Sequence, residues 1–345
     1  MSKTVFVIGA GASVEFGEQM PVGSALATMI RECLTAELAN HRRGGDTPII
    51  DALSRSGFHG QHEEAMRRIR DGITTKESID DFVDEWKDVP FLPEVAKASI
   101  SYCIASSESA TKLAELSPPG TNFPALGRLE RPMTGNAPDR AGILANLRNT
   151  WLGCILRYHN GRARRRSFLD AIQDTSFVVF NYDRCIEQYL WHNLTTSLAV
   201  PPAEAREVLL SVPILQAFGS IGQLPELGGH HPFGSHDPSH IYASATQIRT
   251  YTESAEGFVG DRIASVISSA EKLVFRGCAY HEQNLDLLFP NGPNGIADLW
   301  GTCFGIRPRK LEELNSYFEP LARTMPNLVG ATAGEMLEKY RDELF

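Results

Sequence analysis

The feature that most constrains this chain is an apolar strand that runs directly into a glycine-rich turn, KTVFVIGAGASVEFG at residues 3–17. Residues 4–8 are β-branched or aromatic without polar alternation, which is typical of a strand buried on both faces of a parallel sheet. The small residues that follow at once are Gly9, Ala10, Gly11, Ala12 and Ser13. Small residues at this place allow backbone N–H groups to approach a phosphate at a helix start. They could equally serve only a tight turn between strand and helix.

Similar apolar runs recur at residues 176–180, 211–215 and 272–276, and each ends at a turn or a polar cluster. Helical patterns dominate between the first two runs, over residues 23–40, 62–71, 78–88, 94–115 and 139–159. Together these patterns predict a single α/β domain over residues 1–345, with a Rossmann-like parallel sheet and a large helical insertion at about 25–170. Thr332 and Glu335 form a capping-box pattern, which predicts a terminal helix over residues 332–345.

Composition narrows the classes of partner. A formal net charge of -9 and a pI of about 5.6 make direct binding to a nucleic-acid backbone an unfavoured function. The basic run RARRR at 162–166 is expected to be a solvated surface, and the proline-rich segment 116–138 an irregular loop. The chain begins without a leader pattern and has no apolar run long enough to span a bilayer, so a soluble, cytoplasmic protein is expected.

The cysteines are dispersed. Six occur, at positions 33, 103, 154, 185, 278 and 303, and no two of them form a C-x-x-C pair. This spacing disfavours both a disulfide framework and a zinc ribbon. We therefore expect free thiols and no metal site.

Polar side chains follow the second apolar run, in the segment FVVFNYDRCIEQYL at residues 177–190. Asn181, Tyr182 and Asp183 stand at the carboxyl end of the predicted strand, where open α/β sheets bind their ligands. A carboxylate there can stabilise positive charge, and a carboxamide can hydrogen-bond a hydroxyl group or water. Asp183 could equally cap the following helix, and Asn181 could close a turn.

The third and fourth apolar runs also end in small or polar residues, in PILQAFGSIGQLPEL at 213–227 and VFRGCAYHEQNLDLL at 274–288. The candidates in these two segments are Gly219, Ser220, Gly277, His281 and Asn284. Because parallel strands bring their carboxyl ends to one edge of the sheet, we expect all four strand ends to line one crevice.

The order of these segments resembles that of the sirtuin-like family of NAD-consuming proteins, in particular its bacterial, defence-associated branch. The motifs that carry the resemblance are GAGAS at 9–13, SIDDF at 78–82, FNYDRCIE at 180–187, FGSIG at 218–222 and FRGCAYHEQNLDLL at 275–288. They stand in the family's order and span nearly the whole chain.

The resemblance implies that NAD is the ligand and assigns each segment a part of it. The pyrophosphate would lie on the turn at 9–13, and the nicotinamide ribose beside Asn181, Tyr182 and Asp183. The remaining assigned contacts with the nucleotide are Asp80 of the SIDDF motif, Gly219, Ser220, Gly277, His281 and Asn284, of which the last three border the adenosine half.

The chain departs from the family in two respects. It lacks the paired cysteines of the zinc module in the protein deacylases, so deacylation of lysine is not expected. It also lacks the histidine that precedes the Gly-Ser pair, where this chain has Gln216, Ala217 and Phe218. We place the base position at Gln216 or Ala217, and natural divergence or an introduced substitution would both explain the loss. Other histidines that could replace the missing base are His230, His231 and His281. A zinc site is not expected at His236 and His240, because apart from Asp237 no cysteine or carboxylate stands at a convincing ligand spacing from them.

The expected function is that of an NAD(+) glycohydrolase, which cleaves the nicotinamide–ribose bond to give nicotinamide and ADP-ribose. The family branch implies a role as an anti-phage defence effector that a partner activates. The alternative is a weakened or inactive sensor of NAD or ADP-ribose, or a scaffold subunit of a defence complex. Expected partners are further copies of the chain, an ATPase or a nucleic-acid-sensing subunit.

Overall fold

The computed structural model describes residues 4–76, 79–117, 139–162, 172, 174–255, 257–290, 298–322 and 325–344. Within these ranges the side chains of residues 80, 81, 158–162 and 341 are not described. The predicted proline-rich loop at 116–138 and the basic run at 162–166 lie almost entirely outside the described residues.

Six parallel strands form one sheet. They are β1 (Thr4–Ile8), β2 (Thr175–Val179), β3 (Ile214–Gln216), β4 (Lys272–Arg276), β5 (Asp298–Thr302) and β6 (Asn327–Val329). Their order across the sheet is β3-β2-β1-β4-β5-β6, and every neighbouring pair is parallel. This is the strand order of the doubly wound dinucleotide-binding fold, so the predicted Rossmann-like α/β class is confirmed.

Strand order also locates the crevice of this fold. The chain passes from β1 to β2 and β3 on one side and then returns to β4 on the other side of β1. The connections therefore diverge between β1 and β4, and ligands of such sheets bind outside the carboxyl ends of the strands at this switch point.

The predicted strands agree with the observed ones to different degrees. Strands β1 and β4 have the predicted bounds, β2 begins one residue earlier, and β3 begins three residues later than the apolar run at 211–215. Strands β5 and β6 were not predicted. They extend the sheet on the β4 side and, as shown below, contribute to the cavity.

The described residues between β1 and β2 are mainly helical. Among these residues lie the helices α1 (Ala10–Ser13), α2 (Gly23–Arg43), α3 (Pro48–Leu53), α4 (Gly60–Gly72), α5 (Ile79–Glu85), α6 (Leu92–Ser109), α7 (Arg140–Asn146) and α8 (Trp151–Arg162). The predicted helix over 139–159 is divided into α7 and α8. The Asp139 side chain accepts a hydrogen bond from Gly142 N, and the Thr150 hydroxyl accepts one from Gly153 N, so each helix begins at its own polar cap.

The second half of the chain alternates strands with shorter helices. They are α9 (Cys185–His192), α10 (Pro202–Ser211), α11 (Pro238–Ala245), α12 (Tyr251–Ala255), α13 (Phe258–Ser268), α14 (Glu282–Leu288), α15 (Pro308–Phe318), α16 (Ala333–Lys339) and α17 (Arg341–Leu344). The predicted capping box begins α16: Thr332 Oγ1 accepts from Glu335 N, and Thr332 N donates to Glu335 Oε2. Among the described residues, no helix combines the length and apolar character needed to cross a membrane.

Both faces of the sheet are covered by hydrophobic cores. In β1, Val5 and Val7 face one core, whereas Phe6 and Ile8 face the other. Helices α2 to α6 contribute to the first core, and α7 and α8 contribute to the second. The helices between β1 and β2 therefore share the two hydrophobic cores that cover the sheet.

Candidate functional site

A cavity of about 970 Å³ lies at the carboxyl edge of the sheet. All six strands contribute through the loops that follow them; representative lining residues are Gly11, Asn181, Phe218, Gly277, Thr302 and Thr332. The volume lies at the upper end of the range of small-molecule sites in proteins. The predicted convergence of the strand ends in one crevice is therefore observed, and β5 and β6 add two further loops.

The cavity brings together part of the set of residues that the sequence suggested. Those that line it are Gly9, Ala10, Gly11, Asn181, Tyr182, Asp183, Gly277, His281 and Asn284. Those that the structure places outside the lining are Ala12, Ser13, Gln216, Ala217, Gly219 and Ser220. The backbone of Asp80 lies in α5, next to the lining residue Ile79, but its side chain is outside the described set.

The glycines of the first turn serve a close contact between two loops. Gly9 N donates to Arg276 O at 2.8 Å, and Gly11 N donates to Gly277 O at 3.0 Å. A Cβ at position 9 would stand 2.6 Å from Gly277 O, and one at position 277 would overlap the Ala12 nitrogen. Gly277 also has φ +60, in the left-handed region that favours glycine. The loop after β1 therefore packs backbone to backbone against the loop after β4.

A hydrogen-bonded chain links this turn to the loop after β2. Asn181 Nδ2 donates to Ser13 Oγ at 2.8 Å and to Gly9 O at 3.2 Å, and Ser13 Oγ donates to Asp183 Oδ2 at 2.8 Å. Asp183 Oδ1 accepts from Cys185 N at 3.1 Å, at the first residue of α9. Both oxygens of Asp183 are thus engaged. Its carboxylate fastens the start of α9 to the first turn, although the N-cap residue of this helix is Arg184 and not Asp183.

One polar atom of this hydrogen-bond network, Asn181 Oδ1, has no partner among the described residues. Asn181 is 6% exposed, and its Oδ1 is buried without a hydrogen-bond partner among the described residues. A buried carbonyl oxygen left unsatisfied costs about 1–3 kcal/mol, so such atoms in folded proteins are normally paired. Asn181 lines the cavity and this oxygen is buried in the cavity wall, so a ligand or water with a donor group would satisfy it after a local shift of the side chain.

A buried ion pair holds the loop after β2 against the helical insertion. Glu108 in α6 and Arg184 are 0% and 1% exposed. Glu108 Oε1 accepts from Arg184 N and Nε, and Oε2 accepts from Arg184 Nη2 and from Gly234 N. Arg184 Nη1 donates further to His231 O. The residue directly after Asp183 is thereby fixed to two other segments of the chain.

The loop after β3 places neither of the two base-position candidates, Gln216 and Ala217, in the cavity lining. Phe218 lines the cavity, Ala217 is completely buried, and Gln216 donates through Nε2 to Glu187 Oε1 at 3.3 Å. Burial raises the pKa of Glu187 to about 7. Gly219, which follows Phe218, has φ +74, and a Cβ there would overlap the Gln247 carbonyl oxygen. Gly219 therefore serves the packing of this loop.

The candidate substitute histidines are placed differently from one another. His281 lines the cavity at the start of α14. His231 is buried, its ring stacks on His240, and its Nε2 lies 2.7 Å from Ser235 O. Burial lowers the pKa of His231 to about 3, so its imidazole is neutral at physiological pH. His230 and His231 lie outside the lining, and no cluster of three or more metal-ligating side chains occurs in the described part of the chain.

A charged residue that the sequence reading did not single out also lines the cavity. Glu15 accepts hydrogen bonds from Trp151 N at 2.6 Å and Gly334 N at 2.7 Å, and burial raises its pKa. It thereby ties the first turn to the starts of α8 and α16. Beside it, the fully buried Arg276 donates to Ala333 O at 2.9 Å, and burial lowers the pKa of Arg276 to about 9. Arg276 is the last residue of β4, and this position was the available signal, whereas Glu15 lies beyond the first turn and had none.

Comparison of the chain with protein-family models, with curated proteins and with solved structures finds no match. The description of the site therefore depends on the geometry of this chain alone.

Proposed function

We propose that this chain binds NAD in the cavity at the carboxyl edge of the sheet and slowly hydrolyses its nicotinamide–ribose bond. The observation that carries the proposal is the unpaired Asn181 Oδ1, which is buried in the wall of a dinucleotide-sized cavity at the switch point of the sheet. The resemblance to sirtuin-like proteins supplies the identity of the ligand and the reaction.

The reaction requires few groups from the protein. The bond between C1′ of the ribose and the nicotinamide nitrogen breaks, nicotinamide leaves as a neutral base, and the oxygen of water adds to C1′ while a proton is released. Asn181 Oδ1 is suited to accept a hydrogen bond from a ribose hydroxyl or from the attacking water. The bonds from Asn181 Nδ2 to Ser13 and Gly9 hold the carboxamide in one orientation.

Slow turnover is expected because the base position is apolar. Of residues 216–218, Phe218 is the one that lines the cavity, and its side chain cannot accept a proton. A general base typically contributes about 10²–10⁴-fold to the rate, so its absence from this position slows water attack while leaving binding intact. The same observation favours a second candidate function, a non-enzymatic sensor of NAD or ADP-ribose.

The test separates binding from chemistry. Calorimetry should show that the unaltered chain binds NAD, and chromatography should show slow release of nicotinamide. Phe218→His should raise the rate of release by about 10²–10⁴-fold if the imidazole reaches the water. Gln216→His is the matched control, because position 216 lies outside the cavity lining and should give no gain.

Asn181→Ala should lower the rate of nicotinamide release more than it lowers NAD affinity. Ser13→Ala tests the contribution of one anchoring bond, because it removes the bond from Nδ2 to Ser13 while keeping Oδ1 and the bond from Nδ2 to Gly9 O. Asn315→Ala, on α15 and outside the lining, controls for general effects of removing a carboxamide. A chain that binds no NAD would refute the proposal, and binding without any release in Phe218→His would leave the sensor function as the conclusion.

A further inference from the structure

An aromatic side chain stands on a tight turn at the cavity. Ile306 N donates to Cys303 O at 3.2 Å, and Gly305 has φ +72, so residues 303–306 form a β-turn with Phe304 as its second residue. Cys303 N donates to Val329 O at 2.7 Å, which fixes the turn to the end of β6. Such turns normally carry small or polar residues, yet Phe304 is 72% exposed.

The position of Phe304 distinguishes it from other exposed apolar residues. An isolated exposed apolar side chain needs no explanation in itself. Phe258, at the start of α13, is equally exposed at 74%, but it lies outside the cavity lining. Phe304 lines the same cavity as Asn181, so a ligand in that cavity can cover its ring.

The sheet sets the distance between these two ends of the cavity. Asn181 follows β2 and Phe304 follows β5, and β1 and β4 lie between them. Three strand spacings of about 4.8 Å give a separation of roughly 14 Å across the sheet. A ligand that contacts both residues must therefore be elongated and must carry a flat or apolar group at the end that meets Phe304.

We propose that Phe304 is a stacking platform for the purine base of a dinucleotide whose other end meets Asn181. This inference depends on the proposed function, because it takes NAD as the ligand. An aromatic ring and a base attract each other through their faces, with ring centres about 4.5–7 Å apart. Phe304 thereby selects for ligands that carry a base at this end, without any hydrogen bond to it.

The test compares ligands with and without the purine. ADP-ribose and NAD carry adenine, whereas nicotinamide mononucleotide does not. Phe304→Ala should weaken binding of ADP-ribose and NAD by about 5- to 150-fold, the range that corresponds to losing one base–aromatic stack. Binding of nicotinamide mononucleotide should be unchanged. Phe304→Trp should retain or strengthen the affinity for ADP-ribose, since it restores an aromatic face.

Phe258→Ala is the matched control, because it removes an equally exposed phenyl group away from the cavity and should alter no affinity. If the unaltered chain and Phe304→Ala bind ADP-ribose with equal affinity, the stacking role of Phe304 is refuted, whereas the proposed binding of NAD is not. Equal weakening of all three ligands would also overturn it, since the effect would then not concern the purine. If the unaltered chain binds none of the three ligands, the proposed function fails and the platform fails with it.

Discussion

Replacing Glu108 with alanine should destabilise the fold strongly and disturb the loop after β2. Glu108 is completely buried and accepts four hydrogen bonds, three from Arg184 and one from Gly234 N. Removal of the carboxylate leaves the Arg184 guanidinium charged and buried, with the carbonyl oxygens of His231 and Pro232 as its remaining hydrogen-bond acceptors among the described residues and the Phe233 ring beside it. The substitution therefore exposes the cost of burying one uncompensated charge.

That cost is about 3–5 kcal/mol for buried pairs in other proteins. It is a large part of the total stability of a typical domain, which is about 5–15 kcal/mol. The midpoint of urea unfolding should fall accordingly in Glu108→Ala. Replacing both members, in Glu108→Met with Arg184→Met, should cost less than Glu108→Ala alone, because no buried charge is then left unpaired.

The control is Glu313→Ala on α15. Glu313 pairs with Arg309 on the surface, where the two side chains are 54% and 92% exposed, and solvent screening limits such pairs to about 0–1 kcal/mol. Because Arg184 follows Asp183, Glu108→Ala should also lower NAD affinity more than Glu313→Ala does. Equal shifts in the urea midpoint for the two variants would refute the reasoning that the buried pair holds the site together.

Two further outcomes follow from the geometry. Gly277→Ala should lower the free energy of unfolding in urea by about 2–4 kcal/mol, because a Cβ there overlaps the Ala12 nitrogen and the residue has φ +60. The control is Gly330→Ala, which has open space around the new Cβ and should change little. Similar losses of stability in the two variants would contradict the contact between the loops after β1 and β4. Burial lowers the pKa of His231 to about 3 in the folded chain, whereas a histidine in the unfolded chain has a pKa near 6.5. Between these two values the unfolded state binds more protons than the folded state, so the free energy of unfolding should fall as pH drops from about 6.5 towards 3. His231→Asn should make this fall shallower by up to about 1.4 kcal/mol per pH unit in urea titrations at several pH values, and unchanged slopes would contradict the assignment.

The central strands could be predicted because both of their faces are buried. Strands β1 and β4 contain the apolar runs VFVI and LVF, each followed within two residues by glycine, and this pattern also placed the crevice. Strand β5 lacks such a run because Gly301 interrupts it, and β6 has three partly or fully exposed residues. Because those two strands were not predicted, ligand contacts at Phe304 or Thr332 were not predicted either.

Within the site, local patterns were informative and long-range partners were not. The segment after β2 was recognisable as a ligand-binding strand end. Its partner Glu108 lies 76 residues before Arg184, inside the polar run SSESATK, where an acidic residue is typical of an exposed helix end. The base position is a similar case, because the sequence favoured Gln216 or Ala217, whereas only the backbone path of β3 determines that Phe218 lines the cavity.

The hydrogen bonds of the first turn limit how a ligand can be held. The N–H groups of Gly9 and Gly11 donate to the loop after β4, so neither is left to cradle a phosphate. The Ser13 hydroxyl is likewise engaged, with Asp183 and Asn181. Among the buried side-chain atoms of this wall that the structure describes, the unpaired one is an acceptor, Asn181 Oδ1, which suits a ligand that donates hydrogen bonds. Ribose hydroxyls are such donors and a pyrophosphate is not, so these groups favour recognition of the sugar over recognition of the phosphates.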